Sequence, residues 1–338
     1  MAPTSPLFFF LLLLLFPSPS LQERRSRTSS GVLVASSSPS PSPLVPALFV
    51  LGDSTVDSGT NNYLGTLARA DRPPYGRDFD THRPTGRFSN GRIIVDYLGP
   101  GKIEDMIRGV NYASAAAGIL FSSGSDLVSS FPIRWLLRGV DETFAAGFGR
   151  LKCSSFLRQG QHISLSQQIQ QVSDTFQQLE LSLGEQATAD LISKSVFYVS
   201  IGSNDFIHYY LQNTSSAQVL YLPWEFNQLL VTTMKQALKG LYDKKVRRVV
   251  VTGLAPIGCT PHYLWLYASE TGECVDAING VVMEFNYAMR YMVRELNREL
   301  PNATFTFCDA FEGSMDIMVN RQRYGERVWH RNRRGEPS

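Results

Sequence analysis

The chain has 338 residues, enough for one large α/β domain, and its 43% apolar and 18% charged residues are those of a folded globular protein. Its 32 basic and 30 acidic side chains leave a formal charge of +2, which gives no electrostatic footing for a nucleic acid or another polyanion. Leu7 to Phe16 is an unbroken run of ten Leu and Phe residues, about half of what a membrane-spanning helix needs. Followed by the breaker Pro17-Ser18-Pro19-Ser20, it predicts a secretory signal peptide over residues 1–20. No Lys or Arg precedes the run, and a signal anchor is the alternative reading. Residues 21–46 are rich in Ser, Pro and Arg and are expected to be flexible. No later segment is apolar enough to span a bilayer.

Five short apolar, β-branched runs follow: Ala47 to Leu51, Gly109 to Ala113, Val196 to Ile201, Val246 to Thr252 and Ala303 to Cys308. None alternates cleanly, so each is predicted to be a strand buried on both faces. Helical spacing separates most of them. His162 to Leu183 carries Ile169, Val172, Phe176, Leu179 and Leu183; Phe226 to Leu241 follows; Ala277 to Leu300 carries Val281, Val282, Phe285, Met289, Met292, Val293 and Leu296. Such stripes are core faces. Strands alternating with helices predict a parallel sheet covered on both sides, in one domain over residues 47–320. After Val319, six arginines (Arg321, Arg323, Arg327, Arg331, Arg333 and Arg334) fall within fifteen residues, and residues 321–338 are expected to be a disordered basic tail.

Asn213-Thr214-Ser215 and Asn302-Ala303-Thr304 are acceptor triplets for N-glycosylation, in keeping with export. Four cysteines allow three complete pairings. Cys259 and Cys274, flanking a short loop, are the preferred pair, and Cys153 and Cys308 read equally well as buried free thiols. No His or Cys spacing suggests a metal site, and no cofactor motif occurs.

In an open parallel sheet the active site forms at the carboxyl ends of the strands, where strand order reverses. Those ends carry Gly52-Asp53-Ser54, Ala113-Ser114-Ala115-Ala116-Ala117-Gly118 and Gly202-Ser203-Asn204-Asp205. With the order 2-1-3-4-5 these three loops are neighbours. A serine hydroxyl beside a glycine N–H and an asparagine amide is what acyl transfer requires, a nucleophile with donors for the developing oxyanion.

The segment GDSTVDSGTNN (Gly52 to Asn62) resembles the first block of the GDSL esterase/lipase family, the SGNH hydrolases, in its plant form. PPYGRDF (Pro73 to Phe79), TGRFSNGR (Thr85 to Arg92), GVNYASAAAGI (Gly109 to Ile119), GSND (Gly202 to Asp205) and GLAPIGCTP (Gly253 to Pro261) match the same pattern in order. The resemblance implies a three-layer α/β/α sandwich with a flavodoxin-like parallel sheet, a secreted ester hydrolase, and a small-molecule ester or lipid substrate. It further implies Ser54 as nucleophile, with Asn204 and Gly118 as oxyanion donors and the Ser54 N–H as a further one. Glycines are common in the family where this chain has Ala115 and Ala116, so Gly118 is the nearest donor in that block. Asp53 and Asp57 are expected to fix the Ser54 loop, Arg87, Asn90 and Arg92 to tie a long loop to the sheet, and Gly258 and Pro261 to shape a turn.

The departure is at the other end. The family's last block, Asp-x-x-His-Pro, supplies an Asp and the general-base His, and the pattern here holds through FCDAFEGSMDI (Phe307 to Ile317) and then dissolves. His82, His162, His208 and His262 read as ordinary surface or core histidines, and His330 lies in the basic tail. Two function classes follow, an active ester hydrolase or a catalytically impaired, truncated or alternatively spliced family member that acts as a secreted binding protein or has no activity. Nucleotide binding is disfavoured, because neither a Gly-x-Gly-x-x-Gly nor a phosphate-loop motif occurs. The absence of Gly-x-Ser-x-Gly argues against the common α/β-hydrolase fold.

Overall fold

A computed structural model describes residues 44–98, 106–121, 123, 161–212, 216–267 and 271–324. The expected leader, Cys153, the Asn213 acceptor triplet, His330 and the tail beyond 324 lie outside them. In chain order the main elements are β1 (Leu48–Gly52), α1 (Leu165–Leu183), α2 (Glu185–Lys194), β2 (Val196–Ser200), α3 (Pro223–Asp243), β3 (Arg248–Thr252), α4 (Pro261–Leu266), α5 (Asp276–Glu299), β4 (Thr304–Cys308) and α6 (Ala310–Val319).

The four strands form one parallel sheet in the order β1-β2-β3-β4. Leu48 pairs with Val196, Phe197 with Val249 and Val249 with Phe305. The expected second strand forms no ladder. It makes a single parallel bridge, Val50 with Asn111, and three backbone bonds along the free edge of β1: Val50 N–H to Val110, Tyr112 N–H to Val50 and Ser114 N–H to Gly52. Gly109 explains the close approach, since a Cβ there would lie 1.8 Å from the Leu48 carbonyl oxygen. This segment beside β1 gives the expected order 2-1-3-4-5, with a bridge in place of the outermost strand.

Alternate strand residues serve the two faces. Phe49, Leu51, Phe197, Val199, Val249, Val251 and Phe305 face the helices. There α1 begins at a capping box, in which Ser164 and Gln167 satisfy each other's backbone, and its stripe Leu165, Val172, Phe176 and Leu179 packs on the sheet. Phe176 stands edge-on to Phe49 and Phe197, with ring centroids 5.9 and 6.0 Å apart. The stripes of α3 (Phe226, Leu230, Met234, Leu238, Leu241) and α5 (Val282, Phe285, Met289, Met292, Leu296) complete this core. On the other face Leu48, Val50 and Tyr198 pack with Val56, Ile93, Val95 and Ala113.

β4 departs from the expectation of two buried faces. It alternates: Phe305 is buried, whereas Thr304, Thr306 and Cys308 are exposed. Cys308 is therefore a free thiol at the surface and not a buried one. The outer backbone edge of β4 is blunted by Asn297, whose amide accepts from Phe305 N–H at 2.8 Å and donates to Phe305 O at 2.7 Å. Cys259 and Cys274 are joined, as preferred from the sequence, and closing that 15-residue separation contributes about 3 kcal/mol by loop entropy. The first residues of the expected disordered tail are ordered: Arg321–Tyr324 form a 3-10 turn in which the Tyr324 hydroxyl donates to Asp316.

Candidate active site

The three strand-end loops are cross-braced at the carboxyl edge of the sheet. The first begins at Gly52, where a Cβ would sit 2.3 Å from Val56 Cγ2 and 2.5 Å from the Ser200 carbonyl oxygen, so only glycine lets β1 and β2 close here. Gln168, wholly buried on α1, clamps this residue like an extra strand. Its Oε1 accepts from Gly52 N–H at 2.8 Å, and its Nε2 donates to Gly52 O at 2.9 Å and to Ile163 O at 2.8 Å. Replacing Gln168 by leucine leaves Gly52 N–H buried without a partner and removes one donor each from Gly52 O, which keeps Ser114 N–H, and from Ile163 O. It is expected to lower stability by about 2–3 kcal/mol, read as a shift in urea midpoint at constant m-value.

Asp53 is 1% exposed and its carboxylate accepts from Thr55 N–H (2.9 Å), Thr55 Oγ1 (2.8 Å) and Ser203 Oγ (2.8 Å). Burial pushes its carboxyl above the usual range, against the pull of these donors. Its carbonyl accepts from Val56 and Asp57 N–H, which closes a helical turn. Ser54 opens that turn, half-buried, and neither its hydroxyl nor its N–H bonds to any described residue. Asp57 ties the first loop to the second, accepting from Gly59 and Thr60 N–H at 2.7 Å and from Ala115 N–H at 3.1 Å. Burial raises this carboxyl as well.

In the second loop Ser114 Oγ donates to Asn61 Oδ1 at 2.6 Å, and Asn61 Nδ2 returns to Ala115 O at 3.0 Å. Ala116 has φ 71°, a left-handed conformation that costs an L-residue on the order of 1 kcal/mol. Gly118 is buried and its N–H donates to no described residue, an unusual state for a buried backbone group. The third loop turns at Gly202 (φ 131°) and buries Ser203, Asn204 and Asp205. Asn204 Nδ2 donates to Ala117 O at 2.8 Å, which engages one of its two hydrogens. Ser54, Gly118 and Asn204 thus stand on three loops bonded to one another. A cavity beside them is lined by Asp53, Thr55, Tyr198, Ser200, Ser203, Thr252 and Ala310, and none of the three candidates is on its walls.

The sequence model of the GDSL-like Lipase/Acylhydrolase family matches residues 48–336. Among curated proteins of Arabidopsis thaliana, GDSL esterase/lipase At5g08460 is 33% identical over 306 residues, covering 85% of this chain and 71% of that protein. GDSL esterase/lipase 7 is 38% identical over 303 residues, covering 84% and 73%. GDSL esterase/lipase At4g28780 is 35% identical over 294 residues, covering 82% and 71%.

The chain belongs to the GDSL lipase/acylhydrolase family.

Around the site of this GDSL protein the expected scaffold residues make specific bonds. Arg87 grips Asp96 through Nη2 at 2.6 Å and Nε at 2.9 Å, Arg92 pairs with Asp80, and Asn90 acts through its carbonyl, which accepts from Asp78 N–H. Gly258 N–H donates to Asn279 Oδ1 at 2.9 Å, and Pro261 starts α4 at a position that has no N–H to lose.

The sequence does contain one Asp-x-x-His, Asp205-Phe206-Ile207-His208, in the third loop, and the sequence reading passed over it. The structure does not make a dyad of it. The Asp205 carboxylate is taken up by Ile119 N–H, Leu120 N–H and Ser123 Oγ, and no hydrogen bond joins it to His208 or joins His208 to Ser54. Burial, with His262 nearby, lowers the His208 pKa to about 4 and leaves the ring neutral at pH 7. Sequence reasoning also missed Gln168 and Ser203. Both act on the Ser54 loop from more than 100 residues away, and no local pattern announces that.

Proposed function

We propose that this protein hydrolyses carboxylic esters of lipids or small molecules through an acyl-enzyme on Ser54. The Asn204 side-chain amide and the Gly118 N–H receive the oxyanion, and the Ser54 N–H stands beside them. The observation that carries this reading is the pair of unengaged groups on neighbouring loops at the carboxyl edge of the sheet, a serine hydroxyl and a buried glycine N–H, held by loops bonded through Asn204 and Asp57. Donors held in place before the reaction act where charge develops and cost no reorganisation during it.

A second reading has its own observation: among the described residues no histidine bonds to Ser54. A serine without a base loses on the order of a millionfold in turnover, leaving about 10³–10⁴ over water. The chain then acts as a ligand-binding relative of the hydrolases. Steady-state hydrolysis of p-nitrophenyl acetate and butyrate separates the two. The hydrolase reading expects turnover that disappears in Ser54→Ala, and turnover that is equal in both chains contradicts it.

Export is part of the proposal. The Leu7 to Phe16 run supports a cleaved leader ahead of the catalytic domain, and exposed Asn302 supports glycosylation. Among the described residues no helix is long and apolar enough to cross a membrane.

A further inference from the structure

We infer that Asp205 is a positioning residue for ester hydrolysis: its carboxylate latches the Ile119–Ser123 turn and thereby aims the Gly118 N–H alongside the Asn204 amide. The inference rests on reading Gly118 and Asn204 as the oxyanion donors.

The geometry is a two-sided clamp. Immediately before Gly118, the Ala117 carbonyl accepts from Asn204 Nδ2 at 2.8 Å. Immediately after it, Ile119 N–H donates to Asp205 Oδ2 at 2.7 Å and Leu120 N–H to Oδ1 at 2.9 Å; Ser123 Oγ adds a third donor to Oδ1 at 2.6 Å. Two adjacent residues of the third loop therefore fix the chain on both sides of the Gly118 N–H, a buried group that donates to no described residue. The fit is close: a Cβ on Gly118 would lie 2.8 Å from each Asp205 carboxylate oxygen and 2.3 Å from Ser123 Cβ. Asp205 itself is wholly buried and makes no ion pair among the described residues.

All the acceptor positions that this latch uses belong to the ionised carboxylate. Oδ1 takes two donors and Oδ2 one, so a proton on Oδ1 displaces a donor and a proton on Oδ2 weakens that oxygen as an acceptor. Burial pushes the Asp205 carboxyl up to about 6; its three donors oppose the rise and Asp53, the charged neighbour facing it from the first loop, adds to it. Because the folded value lies above the unfolded one, ionisation between about 4 and 6 costs folding stability as pH rises. The latch and Asp205's own contribution to folding stability therefore respond to pH in opposite senses.

The test uses the full chain, with amide-exchange protection factors at Ile119 and Leu120 and the initial rate of fluorophosphonate reaction at Ser54, across about pH 5 to 8. In Asp205→Asn, protection at Ile119 and Leu120 is expected to fall about 10- to 100-fold while the β2 and β3 amides keep theirs, and the Ser54 reaction to slow by a similar factor. In the unsubstituted chain both quantities fall together as pH drops through about 6, and in Asp205→Asn that step is gone. Ser123→Ala, which removes one donor, gives a smaller loss of protection at the same two amides. Unchanged protection in a folded Asp205→Asn overturns the inference; should that variant not fold, unchanged protection in Ser123→Ala overturns it. An unsubstituted chain that never reacts at Ser54 contradicts the hydrolase reading instead, and the protection factors still decide the latch.

Discussion

Replacing Asn204 by alanine is expected to slow acylation of Ser54 by about 10²- to 10³-fold, the loss typical of removing one oxyanion donor. The side chain is 5% exposed, and the hydrogen not given to Ala117 is the only polar donor that this residue can turn toward a reacting carbonyl. Truncation also frees the Ala117 carbonyl, so part of the loss reflects a looser second loop. Asn204→Asp separates the two contributions. It keeps the size of the side chain but places a carboxylate where negative charge must develop, and it is expected to cost at least as much as alanine. Single-turnover kinetics with a chromogenic ester reads both variants, with the fall in the acylation rate and not in ground-state binding.

Phe206→Ala is expected to be the most destabilising single truncation near the site, at about 3–5 kcal/mol. Phe206 is fully buried and follows directly on Asn204-Asp205. Its ring stands edge-on to Phe226 of α3 and Phe285 of α5, with centroids 5.6 and 5.5 Å apart. It is the peg by which the third loop is seated on the helical core, so its loss leaves a cavity between two helices and a loose platform under Asn204. Urea unfolding followed by far-UV circular dichroism gives the magnitude. Phe206→Leu, closer in volume, should lose less than half as much.

The elements that were legible from the sequence are those whose signal is local and repeated. The apolar stripes of α1, α3 and α5 follow a helical period over many residues, and their ends moved by no more than a few positions once capping entered: Ser164 with Gln167 at α1, and Pro223 in the first turn of α3. Weaker stripes were missed. α2 buries only Thr188 and Ile192 and α6 only Ala310 and Ile317, too few contacts to stand out as a pattern. The Gly109 to Ala113 run has the composition of a strand but exchanges bonds with β1 over a bridge, because the chain turns through the buried alanines that follow. β4 looked like its neighbours in composition, and its alternation of Thr and Phe in fact marks a one-sided edge.

The candidate site was legible as three loops and not as a mechanism of holding them. That Ser54, Gly118 and Asn204 stand at strand ends follows from strand order alone. Which groups fix them does not. Gln168 on Gly52, Ser203 on Asp53 and Asp205 on the 119–123 turn span 82 to 150 residues of sequence, and each uses a polar side chain that in isolation reads as surface. The left-handed Ala116 was foreshadowed only by the alanines that stand where the family often has glycines.

The most direct test of the account is the intact mass of the purified chain after reaction with a fluorophosphonate, followed by peptide mapping. One phosphonyl group per chain, on the peptide that contains Ser54 and absent from Ser54→Ala, is the predicted result. A folded chain that gains no adduct, or an adduct that persists in Ser54→Ala, would contradict it.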